Sequence, residues 1–240
     1  MAQHGKKYLD AVKKIDPKHD YTVDEAVKKV KETSFVKFNE TVELHARLGI
    51  DPKQSDQQVR STVLLPAGLG KTVKILVFAE GEAARAAEAA GADYVAGDEM
   101  IAKIRNEEWT DFDVSISVPD MMRKVGGLGK VLGRKGLMPN PKAGTVVNPE
   151  DLGRAVKEAR AGRVEFRNDK TANLHIPIGK IQFTEDQLRD NLLAVIDGIK
   201  RAKPATAKGI FVKRMVLTST MGPGIRLDIN AAMNVGGKEA

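Results

Sequence analysis

The sequence predicts two domains of different build: an α+β domain assembled from both ends of the chain, and an α/β domain inserted between them. Three observations lead there. Across the middle of the 240 residues, short apolar runs alternate with helical segments, the pattern of a parallel sheet covered by helices. On either side, strands alternate apolar with polar residues as half-buried strands do, and helices open on capping boxes. Charge divides the same way. Residues 68–159 hold 13 Lys and Arg against 14 Asp and Glu, and the flanks hold 26 against 18. The whole excess of the formal net charge of +7 therefore lies outside the middle. Neither flank alone has enough elements for a core, so the two are expected to fold together. The expected boundaries are 1–67 plus 161–240 for the split domain and 68–160 for the inserted one, with linkers near 66–71 and 160–163.

The elements follow in order. TVDE (22–25) is a capping box opening the helix AVKKVKE. ETVELHARLGI then places Val42, Leu44, Ala46, Leu48 and Ile50 on one face and Glu43, His45 and Arg47 on the other, a half-buried strand. Residues 59–65 make a second. In the middle, KILVFA (74–79) is continuously apolar, as expected of a strand buried on both faces. EGEAARAAEAAG is a helix stopped at Gly91. DYVAG is a strand, 98–107 a helix and DVSISV (113–118) a third strand. Pro119 begins a helix weakened by Gly126, Gly127 and Gly129. GRKGLMPNPKAGTV (133–146) reads as a cationic, turn-rich loop. PEDLGRAVKEARAG (149–162) has proline in its first turn and glycine at its end, both helix signals. RVEFRND and ANLHIPIG read as a pair of strands joined through 169–171. Residues 184–199 form a helix with a capping box, Thr184 and Gln187, and an apolar stripe of Leu188, Leu192, Val195, Ile196 and Ile199. Strands follow at 209–217 and 225–229, and NVGGKEA (234–240) is a frayed tail.

Several function classes are excluded or disfavoured. There is no cysteine, so disulfides and thiolate metal sites are out, as fits a reducing cytoplasm. MAQHGKKYLDAVKKID lacks the apolar region of a signal peptide, and no apolar run approaches the roughly 20 residues of a membrane span. A soluble, cytoplasmic protein without membrane association is expected. AGLGKT (67–72) ends like a phosphate-binding loop, but Leu65 stands where its first glycine is required and a strand follows instead of a helix. GGLGKVLGRKG lacks dinucleotide-binding spacing. His4, His19, His45 and His175 show no metal-ligand spacing. Asp111 and Asp113 read as solvated turn residues, and no serine sits in a nucleophile elbow. No enzyme, cofactor or metal is expected.

RNA binding fits better. In KFNETVE (37–43), Lys37 can meet phosphate and Phe38 can stack on a base or sugar beside a polar strand face; the alternative for Phe38 is simple core. TSTMGPG (218–224) carries hydroxyls and little bulk, so its backbone can approach a groove lined by 2′-hydroxyls; alone it could be a hairpin turn. FRNDK adds cationic donors. All three lie in the basic flanks.

KFNETVELHARLGIDPKQSDQQVRSTVLLPAGLGK, GRKGLMPNPKAGTV, EFRNDKTANLHIPIGK and TSTMGPGIRL resemble, in order and spacing, the bacterial ribosomal protein L-one family, over essentially the whole chain. The resemblance implies a split α+β domain with an inserted Rossmann-like three-layer α/β domain. It implies a component of the large-subunit side stalk that binds 23S rRNA among other large-subunit components, near the exit site from which deacylated tRNA is released. It also implies repression of the protein's own operon through the mRNA leader. Carried over by motif, RNA contacts fall on Lys37, Phe38, Thr41 and Glu43, on Thr218, Thr220, Met221, Gly222 and Pro223, and on Arg167, Lys170 and His175. In 133–146, Arg134, Lys135 and Lys142 offer either a secondary contact with rRNA or tRNA or a rigid structural loop.

Overall fold

The computed structural model describes residues 5–235; His4 and the end of the expected tail, from 236 on, lie outside the described residues. The chain divides into two units, Met1–Gly70 with Val164–Ala240, and Lys71–Arg163.

In the first unit, α1 (Lys6–Val12) buries Ala11. Helix α2 (Val23–Thr33) opens on the capping box: Thr22 N–H donates to Glu25 Oε2 at 3.0 Å and Glu25 N–H to Thr22 Oγ1 at 3.4 Å. Its Val23, Ala26, Val27 and Val30 are buried, i, i+3, i+4 and i+7 on one face. Strand β1 (Thr41–Leu48) buries Val42, Leu44, Ala46 and Leu48. Strand β2 (Arg60–Leu64) follows.

The second unit is a three-layer sandwich. Strand β3 (Ile75–Phe78) is flanked in parallel by β4 (Tyr94–Ala96) and β5 (Val114–Ser117). Being central, β3 is buried on both faces, which is why it reads as unbroken hydrophobicity. Ile75 and Val77 pack with α3 (Glu82–Ala89) and α7 (Leu152–Ala161). Leu76 and Phe78 pack on the other side with α4 (Asp98–Glu107), α5 (Met122–Gly126) and α6 (Gly129–Lys135). The glycines split the single helix expected after Pro119 into α5 and α6, preceded by a 3-10 turn over Pro119–Met121. Arg134 and Lys135, expected in a loop, lie in the last turn of α6.

The first unit resumes with β6 (Arg163–Arg167), β7 (Asn173–Lys180), α8 (Glu185–Arg201), β8 (Val212–Ser219), β9 (Ile225–Arg226) and α9 (Ile229–Val235). Its main sheet has the order β7-β1-β8-β9, and β2 with β6 makes a separate ribbon. This corrects the expected β6–β7 pair. Asn168 ties the end of β6 to the segment before β2, accepting the Val59 N–H at 2.7 Å and donating its own N–H to the Val59 carbonyl at 3.0 Å. The turn at 169–172, with Ala172 left-handed at φ 63°, then sends the chain to β1 instead. The expected strand at 225–229 also shortens, because Asp228 accepts the N–H groups of Asn230 and Ala231 at 2.8 and 3.1 Å and starts a helix. The core lies between this sheet and α2 and α8; α8 contributes Leu188, Leu192, Val195, Ile196 and Ile199. Asn191 is also buried, accepting the Ala67 N–H and donating to the Gly68 and Ile178 carbonyls. It fixes the backbone at the end of the unit's first half.

Candidate nucleic-acid interface

With alternate residues of β1 in the core, Thr41, Glu43, His45 and Arg47 occupy the opposite face. Register places Thr218 of β8 beside Glu43 on one side and Pro177 of β7 on the other. At the Thr41 end, the segments 34–40 and 219–224 come together around Glu40. This carboxylate is 1% exposed; it accepts the Met221 N–H at 2.8 Å and the Ser34 hydroxyl at 2.6 Å. Thr220 closes the junction a second time, accepting the Thr41 N–H at 3.0 Å and donating to the Thr41 carbonyl at 3.3 Å. Phe38 is 54% and Met221 51% exposed, and Lys37 is exposed beside Phe38. Of the two readings of Phe38, the structure selects the surface one. A buried carboxylate therefore holds two loops, each presenting an apolar side chain to solvent.

The hydroxyls are used differently from the sequence expectation. The Thr218 hydroxyl is directed at the carbonyls of Ser219, Gly222 and Pro223, at 3.0, 3.2 and 3.4 Å. The Thr41 hydroxyl accepts from Lys180 Nζ at 2.8 Å. These threonines shape the loop, and what faces outward is mainly Phe38, Met221 and backbone. Gly222 also has an internal reason: a Cβ there would lie 2.4 Å from Ser219 Oγ. Pro223 is buried.

Further along the sheet, Glu43, His45, His175 and Asp169 form a chain. The two Nδ1 atoms of His45 and His175 are 2.7 Å apart. Glu43 lies 3.8 Å from His45 Nε2 and Asp169 3.5 Å from His175 Nε2. Burial, and then the facing His175, lower the His45 pKa. Asp169 is held well below the usual carboxylate range, chiefly by the Asn173 N–H, against the opposing effect of burial and with further help from Thr171. Arg167 and Lys170 line an open groove of about 740 Å³ beside His175. Arg60 and Glu165 form an ion pair there at 2.5 Å.

The segment 133–146, in the other unit, is pinned. Asn140 accepts the Lys142 N–H at 2.8 Å and Arg163 donates to the Ala143 carbonyl at 2.8 Å. Gly144, at φ 60°, leaves room for that guanidinium, which a Cβ would meet at 2.1 Å. Arg134 donates to the Lys130 carbonyl at 2.8 Å and Lys135 to the Thr110 hydroxyl. Lys142 is exposed.

The model of the Ribosomal protein L1p/L10e family matches residues 28–223. This chain belongs to that family. It is 56% identical over 235 residues to the large ribosomal subunit protein uL1 of Chloroflexus aggregans, covering 98% of this chain and 99% of the relative. To the uL1 of Dehalococcoides mccartyi it is 54% identical over 237 residues, 99% of this chain and all of the relative. Members of the ribosomal protein L1 family are structural components, not enzymes.

Glu40, His45 and Lys180 are not among the RNA contacts carried over by motif. A signal for Glu40 was present. It shares the two-residue period of Val42, Leu44 and Ala46, so it belongs to the buried face, where a carboxylate must find donors. His45 was visible as a polar-face residue, but its partner could be found only from the β1–β7 register.

Proposed function

We propose that this chain is a constituent of the large ribosomal subunit, anchored on 23S rRNA by the polar sheet face and joined loops of its first unit. Family membership supports the ribosomal part. The observation that carries the rRNA part is the pair of exposed apolar side chains, Phe38 and Met221, on loops locked together by buried Glu40. Hydrophobic side chains held on a rigid, basic-flanked surface suit stacking on unpaired bases and packing against riboses. Lys37, Thr41, Glu43, Thr218, Thr220, Gly222, Pro223, Arg167, Lys170 and His175 belong to the same surface, as direct contacts or as the frame of the loop.

Such a surface reads RNA shape, so an mRNA leader presenting the same shape competes for it, and repression of the protein's own operon follows as the finer reading. Release of deacylated tRNA at the exit site is the second finer reading; Lys142, with Arg134 and Lys135 of the same segment, offers the cations available to it. Tagged full-length protein expressed in cells is expected to co-sediment with large subunits in sucrose gradients. A stalk rRNA fragment and the mRNA leader are expected to displace each other in filter binding. Absence from large subunits overturns the ribosomal reading; independent binding of the two RNAs overturns shared recognition.

A further inference from the structure

The far end of the same sheet face carries a cluster outside the proposed contacts. Arg47 of β1 stands directly opposite Arg214 of β8. Arg226 of β9 pairs with Val216, one same-face position from Arg214. All three are exposed. Like charges directly opposite each other across an antiparallel pair are destabilising. Among the described residues these three guanidiniums take part in none of the ion pairs found, although many surface cations do. Asp228 lines the groove beside Arg214 and Arg226; its Oδ1 accepts the N–H groups of Asn230 and Ala231, and the carboxylate makes no ion pair with either arginine. Asp20, also in that groove, makes no ion pair with them. An uncompensated arginine cluster on a flat strand surface is a site for an external anion, and the planar forks suit phosphate oxygens.

We infer that Arg47, Arg214 and Arg226 form a phosphodiester-binding patch that carries the RNA interface along the sheet, away from the two loops. The inference rests on the rRNA-binding reading above. Its support is continuity. Arg47 lies four positions along β1 from Glu43, at the loop end, about 13 Å at strand rise. The residues between them on this face, His45, His175 and Val216, form the surface that an RNA backbone would cross. An acidic protein partner would also fit three arginines, but it would not explain their place on the sheet face that runs on from Thr41, Glu43 and Thr218.

The test is the full-length R47Q/R214Q variant, titrated with a stalk rRNA fragment at several salt concentrations, beside the unaltered chain and Phe38→Ala. Every phosphate that the protein ceases to neutralise makes the slope of log affinity against log salt shallower by roughly 0.7–0.9. The double variant is therefore expected to lose about 1.5 from that slope and about tenfold in affinity at low salt. Phe38→Ala is expected to lose affinity with the slope unchanged. The melting temperature of the double variant without RNA is expected to be unchanged or higher, since a like-charge pair is removed; a fall would overturn the view of the pair as uncompensated. Unaltered affinity and slope in the double variant, with normal binding by the parent chain, overturn this inference alone. The same result with loss from large subunits points to an acidic protein partner and overturns it too. Failure of the parent chain to bind overturns the rRNA reading, and this inference with it.

Discussion

Glu40 shows how one buried side chain sets the geometry of an exposed surface. Its carboxylate takes the Met221 N–H and the Ser34 hydroxyl, so its removal leaves two donors without partners and frees two loops. Glu40→Ala is expected to cost about 2 kcal/mol in chemical denaturation and to weaken rRNA binding. Glu40→Gln, which keeps one carbonyl acceptor, should lose less of both. Equal stability of Glu40→Ala and parent would remove Glu40 from this role. The histidine pair gives a pH dependence whose sign is fixed. The His45 pKa is lowered in the fold from its ordinary 6.5, so the unfolded chain binds more protons between the two values. Stability is full above about 6.5 and falls as pH drops toward the folded value. The groups facing the pair are Glu43 and Arg47 on β1, Asp169 before β7, and Arg214 diagonally across on β8. The melting temperature should decline from pH 7 to pH 5, and His45→Gln should flatten part of that decline; identical profiles would contradict the linkage. Site residues were legible to different depths. Phe38 and Met221 were visible as residue types in unusual loops. The Thr220 hydroxyl is used on Thr41, 179 residues away in sequence, which no local pattern encodes, whereas Thr218 bonds carbonyls within five residues of itself.

Helices and strands were legible wherever a local signal controlled them. Both capping boxes start their helices where expected, because side chain and backbone there lie within four residues. The unbroken run in β3 announced a central strand, since burial on both faces leaves no polar position. The failures occur where tertiary partners decide. Strand β6 leaves its sequence neighbour β7 for β2 because the Asn168–Val59 hydrogen bonds hold it there. Helix α4 illustrates a local rule that is broken. It ends at Glu108, left-handed at φ 50°, where glycine is the usual residue. The carboxylate gains only an exposed 3.4 Å ion pair with Arg134, which is worth little. Glu108→Gly is thus expected to raise stability by about 0.5–1 kcal/mol, read as a higher melting temperature. A lower one would show that this pair outweighs the backbone strain.

At the level of the whole chain, charge and element type divide along the same lines. The inserted segment is an α/β sandwich of nearly balanced charge, and the two flanks share one antiparallel sheet and the basic excess. That partition was legible in patterning and charge, because a parallel sheet and an antiparallel one impose different hydrophobic periods. The same division pointed to the flanks as the RNA-binding part, although the most recognisable cationic stretch, 133–146, lies in the inserted unit. The structure weighs against that stretch as the main site: Arg134 and Lys135 are bound to neighbouring groups, and its glycine at 144 makes room for Arg163. The central claim is that RNA is held by the sheet-and-loop surface of the split unit. It is tested most directly by the affinities of full-length Phe38→Ala and Lys142→Ala for a stalk rRNA fragment, with circular dichroism as a control for folding. Both side chains are exposed, so neither change should unfold the protein. Loss of a stacking aromatic is expected to weaken binding about tenfold or more, and loss of Lys142 by less than about threefold. A larger loss from Lys142→Ala than from Phe38→Ala would place the main RNA site on the inserted unit and contradict the account.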